Sequence, residues 1–175
     1  MSHPPIKLSK HDATITRWLQ SAASDDPGRP TLNGIYVNGT VMSCDGFRAH
    51  AVPSVYPLNL AFDNQVIELD KKPRAAGDYV EPTVTTGTYP KVDQIVPKDP
   101  PVLEIGVNPQ YLAEALAPFI DKKNGSTVTL RFRTPSAPIE VYGEIETGTE
   151  TTPGYALIMP RNLTDLDKAE QNWKP

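Results

Sequence analysis

The chain has 175 residues, with 17 Lys and Arg against 21 Asp and Glu for a formal charge of −4 at pH 7. Hydrophobic residues make up 38% and charged residues 22%, an ordinary balance for a folded soluble domain with a real core. This excludes a disordered chain, a collagen-like repeat and a disulfide scaffold, and no apolar run approaches the ~18 residues that span a bilayer. The single cysteine, Cys44, fits a reducing compartment, and Met1-Ser2-His3-Pro4-Pro5 lacks the charged-then-apolar order of a secretory signal. The expected location is the cytoplasm. The 19 prolines and 11 glycines are spread along the chain and punctuate many short elements.

Residues 9–24, SKHDATITRWLQSAAS, place Ile15, Trp18, Leu19 and Ala22 at i, i+3, i+4 and i+7. That spacing predicts a helix with one apolar stripe and with Lys10, Thr14, Arg17 and Ser21 on its other side. Ser9 followed by Asp12 fits a capping box, and Asp25-Asp26-Pro27-Gly28 stops the helix. Between Thr31 and Pro53, Leu32, Ile35, Val37, Val41 and Met42 lie in β-rich runs. Asn38-Gly39 there predicts a two-residue hairpin and Asp45-Gly46 a second tight turn. Gln65–Asp70 reads as a strand, and 73–90 as a Gly- and Thr-rich mixture of strand and loop.

The second half repeats the order of the first. VLEIGV (102–107) predicts a strand, and Asn108-Pro109 supplies an N-cap and a proline at the first helical position. Tyr111, Leu112, Ala115, Leu116 and Phe119 mark a buried helix face, closed by Lys122-Lys123-Asn124-Gly125. Three strands follow in TVTLRFR, PIEVYGEI and GYALIMP. The expected fold class is α+β with antiparallel sheets. It is one domain over 9–163, with similar helix-plus-strands halves at about 9–80 and 81–163, an arm at 1–8 and a tail at 164–175.

The residues offer little catalytic chemistry. His3, His11 and His50 are too scattered for a metal site, and neither a P-loop nor a Rossmann glycine pattern is present. Cys44 and His50 could be drawn as a thiol–imidazole pair, but a short thiol at a strand end is more often packing. Glu140, Glu144, Glu146 and Glu150 fit a solvated sheet face. No enzyme, cofactor or metal is expected.

Four segments together resemble the bacterial DNA polymerase III β sliding clamp family. RPTLNGIYVNGTVMSCDGFRAHAVP is similar to that family's Leu-Asn-Gly, hairpin and Thr-Asp-Gly-His-Arg-Leu-Ala. GTYPKVDQIVPK is similar to its Gly-x-Phe-Pro-Asp-Tyr-x-x-Val-x-Pro connector. VNPQYLAEAL is similar to its Tyr-Leu-x-x-Ala-Leu helix, and GYALIMPRNL to its Tyr-x-x-Met-Pro-Met-Arg-Leu ending. They stand in family order between residues 30 and 163. Phe47 stands in place of the family His, Ala49 in place of Leu and Arg161 in place of Met, and Thr164–Pro175 extends past the usual terminus. A clamp subunit has three domains, so this chain resembles a condensed, divergent member.

The resemblance implies a DNA-clamp-like fold with its two helices on one side, and a hydrophobic groove for short linear peptides from polymerases and repair proteins. The implied peptide-binding residues are Cys44, Gly46, Phe47, Arg48 and Ala49, then Pro90 and Ile95, then Leu157, Met159, Pro160 and Arg161. Apolar walls with a few polar groups suit an extended peptide with apolar anchors. The implied DNA-facing residues are Lys10, Arg17, Lys122 and Lys123, which would meet phosphates without reading sequence. Against this, the second helix exposes Gln110, Ala113, Glu114 and Ala117, and Lys122-Lys123 also serves as a helix C-terminal complement. Family rings contain six similar domains, so a one-domain chain would close one only as a homo-oligomer, with GEIETGTETT and IELDKK as candidate edges. In the tail, Leu163, Leu166 and Trp173 suit either a plain extension or a segment that folds back on the groove.

The expected function is therefore a non-enzymatic, sliding-clamp-like replication or repair accessory factor, cytoplasmic and nucleoid-associated, that tethers partners and encircles duplex DNA. The alternative is a clamp-fold protein that binds or competes for clamp-binding peptides without forming a ring. An enzyme built on Cys44 and His50 is the more distant rival.

Overall fold

The computed structural model describes residues 3–94, 97, 99–121, 126–147 and 150–161. The isoleucine at 95, the lysines at 122 and 123 and the tail beyond 161 lie outside them. The chain divides into two compact units, one ending at Lys98 and one beginning at Asp99. Both carry antiparallel sheets and few helices, an α+β fold. Among the described residues no helix is long and apolar enough to cross a membrane.

The first unit opens with β1 (Ile6–Leu8) and α1 (Lys10–Gln20). Ser9 caps α1 as the sequence predicts: its Oγ accepts the Asp12 N–H at 3.1 Å, and its hydroxyl donates to Asp12 Oδ2 at 2.5 Å, a side-chain contact in place of the capping box's bond to the Ser9 N–H. Of the expected stripe, Leu19 and Ala22 are buried and Ile15 packs on the core, but Trp18 does not, and Ala13 and Thr16 take buried positions in its stead. Trp18 lies outside, stacked on His50 with ring centroids 4.2 Å apart, while His50 Nδ1 donates to the Trp18 carbonyl at 2.7 Å. Ala13 packs with Leu8 of β1, and the Ser43 hydroxyl donates to the Leu19 carbonyl where the helix meets a larger sheet.

That sheet has five strands: β2 (Ile35–Asn38), β3 (Thr40–Cys44), β4 (Ala49–Val52), β5 (Gln65–Leu69) and β7 (Pro82–Thr85), in the order β4-β3-β2-β5-β7. Between β5 and β7 the chain forms β6 (Asp78–Val80), which pairs with β1. The β2–β3 hairpin is one residue tighter than predicted: Asn38 pairs with Thr40 and Gly39 alone sits at the tip, at φ +65°. Side chains alternate between faces along a strand. Ile35, Val37, Val41 and Ile67 meet Leu19 of α1 on one face, joined by Leu58 of α2 (Tyr56–Ala61). This helix has only six residues, too short to show periodicity, and the sequence reading misses it. Met42, Cys44 and Val66 form a second cluster on the other face. The IELDKK segment supplies β5, which lies inside the sheet between β2 and β7 and is not an edge.

The second unit holds α3 (Pro109–Leu116), β8 (Thr129–Arg131), β9 (Ile139–Thr147) and β10 (Glu150–Ile158), with the sheet ordered β10-β9-β8. Asn108 caps α3, its Oδ1 accepting the Gln110 N–H at 2.9 Å. Leu112, Ala115, Leu116 and buried Phe119 pack on Ile139, Val141 and Ile158, whereas Tyr111 is exposed. The strand expected over 102–107 is reduced to one bridge between Gly106 and Arg161. Prolines at 100, 101 and 109 flank that segment and limit the pairing it can make.

Candidate functional site

The β3–β4 hairpin is built on Asp45. Its Oδ1 accepts the backbone N–H of Phe47 at 2.9 Å and of Arg48 at 3.0 Å, and its Oδ2 accepts Arg48 Nε at 3.0 Å. Desolvation raises the Asp45 carboxyl, but the Phe47 and Arg48 donors and the Arg48 charge together outweigh it and hold the group below its ordinary range. Gly46 takes φ +94°, a conformation that strains residues with a side chain. Phe47 therefore stands 96% exposed on a turn with little internal freedom. Ala49 is exposed beside it, and Cys44 is buried beneath the second sheet face.

The connector over residues 87–94 lies across that second face. Tyr89 stacks on Tyr36, with centroids 4.6 Å apart and planes within 9°, and donates its hydroxyl to Cys44 Sγ at 3.4 Å. Burial and then the Cys44 contact push the Tyr89 phenol well above its usual value. Val92 is buried in the same cluster. The segments around Cys44 and Pro90 thus meet through a thiol and a tyrosine within the first unit. Pro90 itself is exposed and lines a cleft of about 490 Å³ with Tyr36, Thr40, Met42 and Lys91. Tyr36 and Tyr89 are the functional candidates that sequence reasoning misses. The connector motif contains Tyr89, but its partner on β2 could only be found from the sheet register.

In the second unit, β10 and the three residues after it carry the remaining described peptide-binding candidates. Ile158 faces the core, while Leu157 and Met159 point the other way and are 55% and 65% exposed. Tyr155 continues their row and packs on Tyr142 at 4.8 Å, with the Arg131 guanidinium 4.5 Å from the Tyr142 ring centre. Pro160 is half-buried and Arg161 exposed. The Arg161 N–H donates to the Gly106 carbonyl at 2.8 Å and fixes the backbone past the strand end.

Of the DNA-facing candidates, Lys10 is exposed in the first turn of α1, and Arg17 Nη1 donates to the Pro73 carbonyl at 3.1 Å. On α3, Gln110 Nε2 donates to Glu114 Oε1 at 2.8 Å, so its exposed side is neutral to acidic. The imagined Cys44–His50 couple does not form. His50 pairs with Ser43 in the register and shares its face, whereas Cys44 points to the opposite one. Among the described residues no group of three or more His, Cys, Asp or Glu is placed to hold a metal ion. The exposed apolar and cationic side chains suit non-covalent docking.

No family model and no curated protein matches this chain. Among solved structures it is similar to a "Putative DNA polymerase III beta subunit" from Eubacterium rectale ATCC 33656, with 14% sequence identity and a TM-score of 0.48. The match covers 92% of this chain and 52% of the other, so the chain spans about half that protein's length.

Proposed function

We propose that this chain is a non-enzymatic tethering factor of the sliding-clamp kind, which takes short linear peptides from replication or repair proteins and works on duplex DNA as a homo-oligomer in the cytoplasm. One observation carries the reading: Leu157 and Met159 form an uncovered apolar row at the end of a strand whose backbone is pinned by the Gly106–Arg161 bridge. Exposed apolar anchors on an ordered backbone lower the entropy cost of binding an extended peptide. The first unit offers Phe47, Arg48 and Pro90 on a turn and a connector that are also held in place. Support from the sequence is the family order of the segments that contain these residues. The domain division, with a single clamp-like domain over 9–163, belongs to the same proposal.

A second reading, a peptide-binding protein that never closes a ring, is favoured by α3, whose exposed Gln110 and Glu114 suit phosphates poorly. Both readings share the peptide surface, which a titration tests. A fluorescein-labelled peptide with two adjacent apolar residues beside a carboxylate should bind saturably by anisotropy. Leu157→Asp and Met159→Asp should each weaken it about tenfold, as expected of anchors worth over 1 kcal/mol. Binding of the peptide with unchanged affinity by both variants would rule out this surface.

A further inference from the structure

The face of the second unit that carries Leu157 is assembled by alternation along its three strands. Paired residues on neighbouring strands share a face, as do residues two apart along one strand. The register therefore sets Arg131 of β8 beside Glu140 of β9 and Leu157 of β10, and Thr129 beside Tyr142 and Tyr155. Glu144 and Glu146 continue the β9 row on the same face and are exposed. Arg133 Nη2 donates to Glu140 Oε2 at 3.0 Å and neutralises the carboxylate next to Arg131. Arg131 itself has no ion pair among the described residues. Its guanidinium carbon lies 4.5 Å from the Tyr142 ring centre, and Tyr142 packs in turn on Tyr155, with ring centroids 4.8 Å apart. Arg131, Tyr155, Leu157 and Met159 are all exposed. An unpaired cation thus borders an uncovered apolar row. A guanidinium over an aromatic face keeps its N–H donors in its own plane, where one carboxylate can take two of them.

We propose that Arg131, held over Tyr142, makes this surface select acidic peptides by pairing with a carboxylate next to the peptide's apolar anchors. The inference rests on the peptide reading and names the chemical class of peptide that the strand end takes. Neighbouring strands lie ~4.8 Å apart, so a guanidinium over the middle strand is within reach of a peptide residue beside the one seated on Leu157. Glu144 and Glu146 disfavour the opposite placement, with the peptide carboxylate at the far end of the face, because like charges would meet there. The contact with Tyr142 orders the long arginine side chain before a peptide arrives, which lowers the entropy cost of forming the pair.

The test is anisotropy of two fluorescein-labelled peptides that differ only in carrying Asp or Asn beside two apolar residues. The intact chain should bind the Asp form about fivefold more tightly, as an exposed but oriented ion pair allows. That difference should shrink with added salt. Arg131→Gln should bind both forms with the intact chain's affinity for the Asn form. Arg131→Glu should instead prefer a third peptide with Lys in that position. Arg131 is exposed on an edge strand, so both variants should keep the parent's Tm. Tyr142→Phe keeps the ring and should keep the preference, whereas Tyr142→Thr should reduce it. Equal binding of the Asp and Asn forms by the intact chain overturns the inference and leaves the apolar surface standing, as does a preference that survives in Arg131→Gln. Failure of both forms to bind overturns the peptide surface itself, and the inference with it.

Discussion

Asp78 illustrates how much one side chain organises. Its carboxylate is accepted into a cage made by the Arg74 side chain, the Arg74 N–H and the Tyr79 N–H, and these hold its pKa at about 2 against an ordinary 3.8. The folded state thus binds the Asp78 proton less tightly than the unfolded one. Its stabilisation is complete above the ordinary carboxylate range and drains away as pH falls from about 4 towards 2. Asp78→Asn should lower Tm at pH 7, and the gap from the parent protein should narrow below about pH 4 and close only below about pH 2; thermal melts across this range check it. An equal gap at both ends would show that the carboxylate's charge is immaterial. At this scale the sequence is a partial guide. Ser9, Asp12 and Asn108 announce their caps because capping is local chemistry. Trp18 is misplaced because its hydrophobicity suggests burial, while Thr16, an unremarkable polar residue, takes the buried position.

At the scale of elements, legibility follows the range of the interaction. Helices α1 and α3 and the strands β2, β3, β5, β9 and β10 are visible in periodicity and turn residues. The segment 102–107 has strand composition but finds only one pairing position, since strand formation depends on a partner that local sequence does not reveal. The path of the connector over the second sheet face is equally hidden, because Tyr89 finds Tyr36 across more than fifty residues. The β9–β10 pair shows a further constraint. Gly143 and Gly154 are directly paired, and the Phe119 ring lies so close that a Cβ on Gly154 would come within 2.5 Å of it. Gly154→Ala should cost about 1–3 kcal/mol through overpacking, measured by urea unfolding. Introducing Phe119→Leu alongside should make the alanine's added cost smaller, because the two changes share one contact. Additive costs would place the strain elsewhere.

For the whole molecule, the α+β class and the antiparallel sheets follow from short β-rich runs alternating with two longer helical patterns. The candidate site is less legible. In the first unit Cys44 meets the connector that carries Pro90, while Phe47 and Arg48 stand on the β3–β4 turn; in the second, Leu157, Met159 and Arg161 form one exposed strand end, but exposure of such residues is set by tertiary packing and no periodicity encodes it. A tether must hold a peptide and DNA at once, and gel filtration of a labelled apolar–acidic peptide with nicked circular duplex tests that most directly. In the presence of the chain the peptide should elute with the circle, and it should be lost with Met159→Asp. Linearising the DNA should release it if a ring closes. A peptide that stays in the low-mass fraction, with chain and circle both present, would contradict the account.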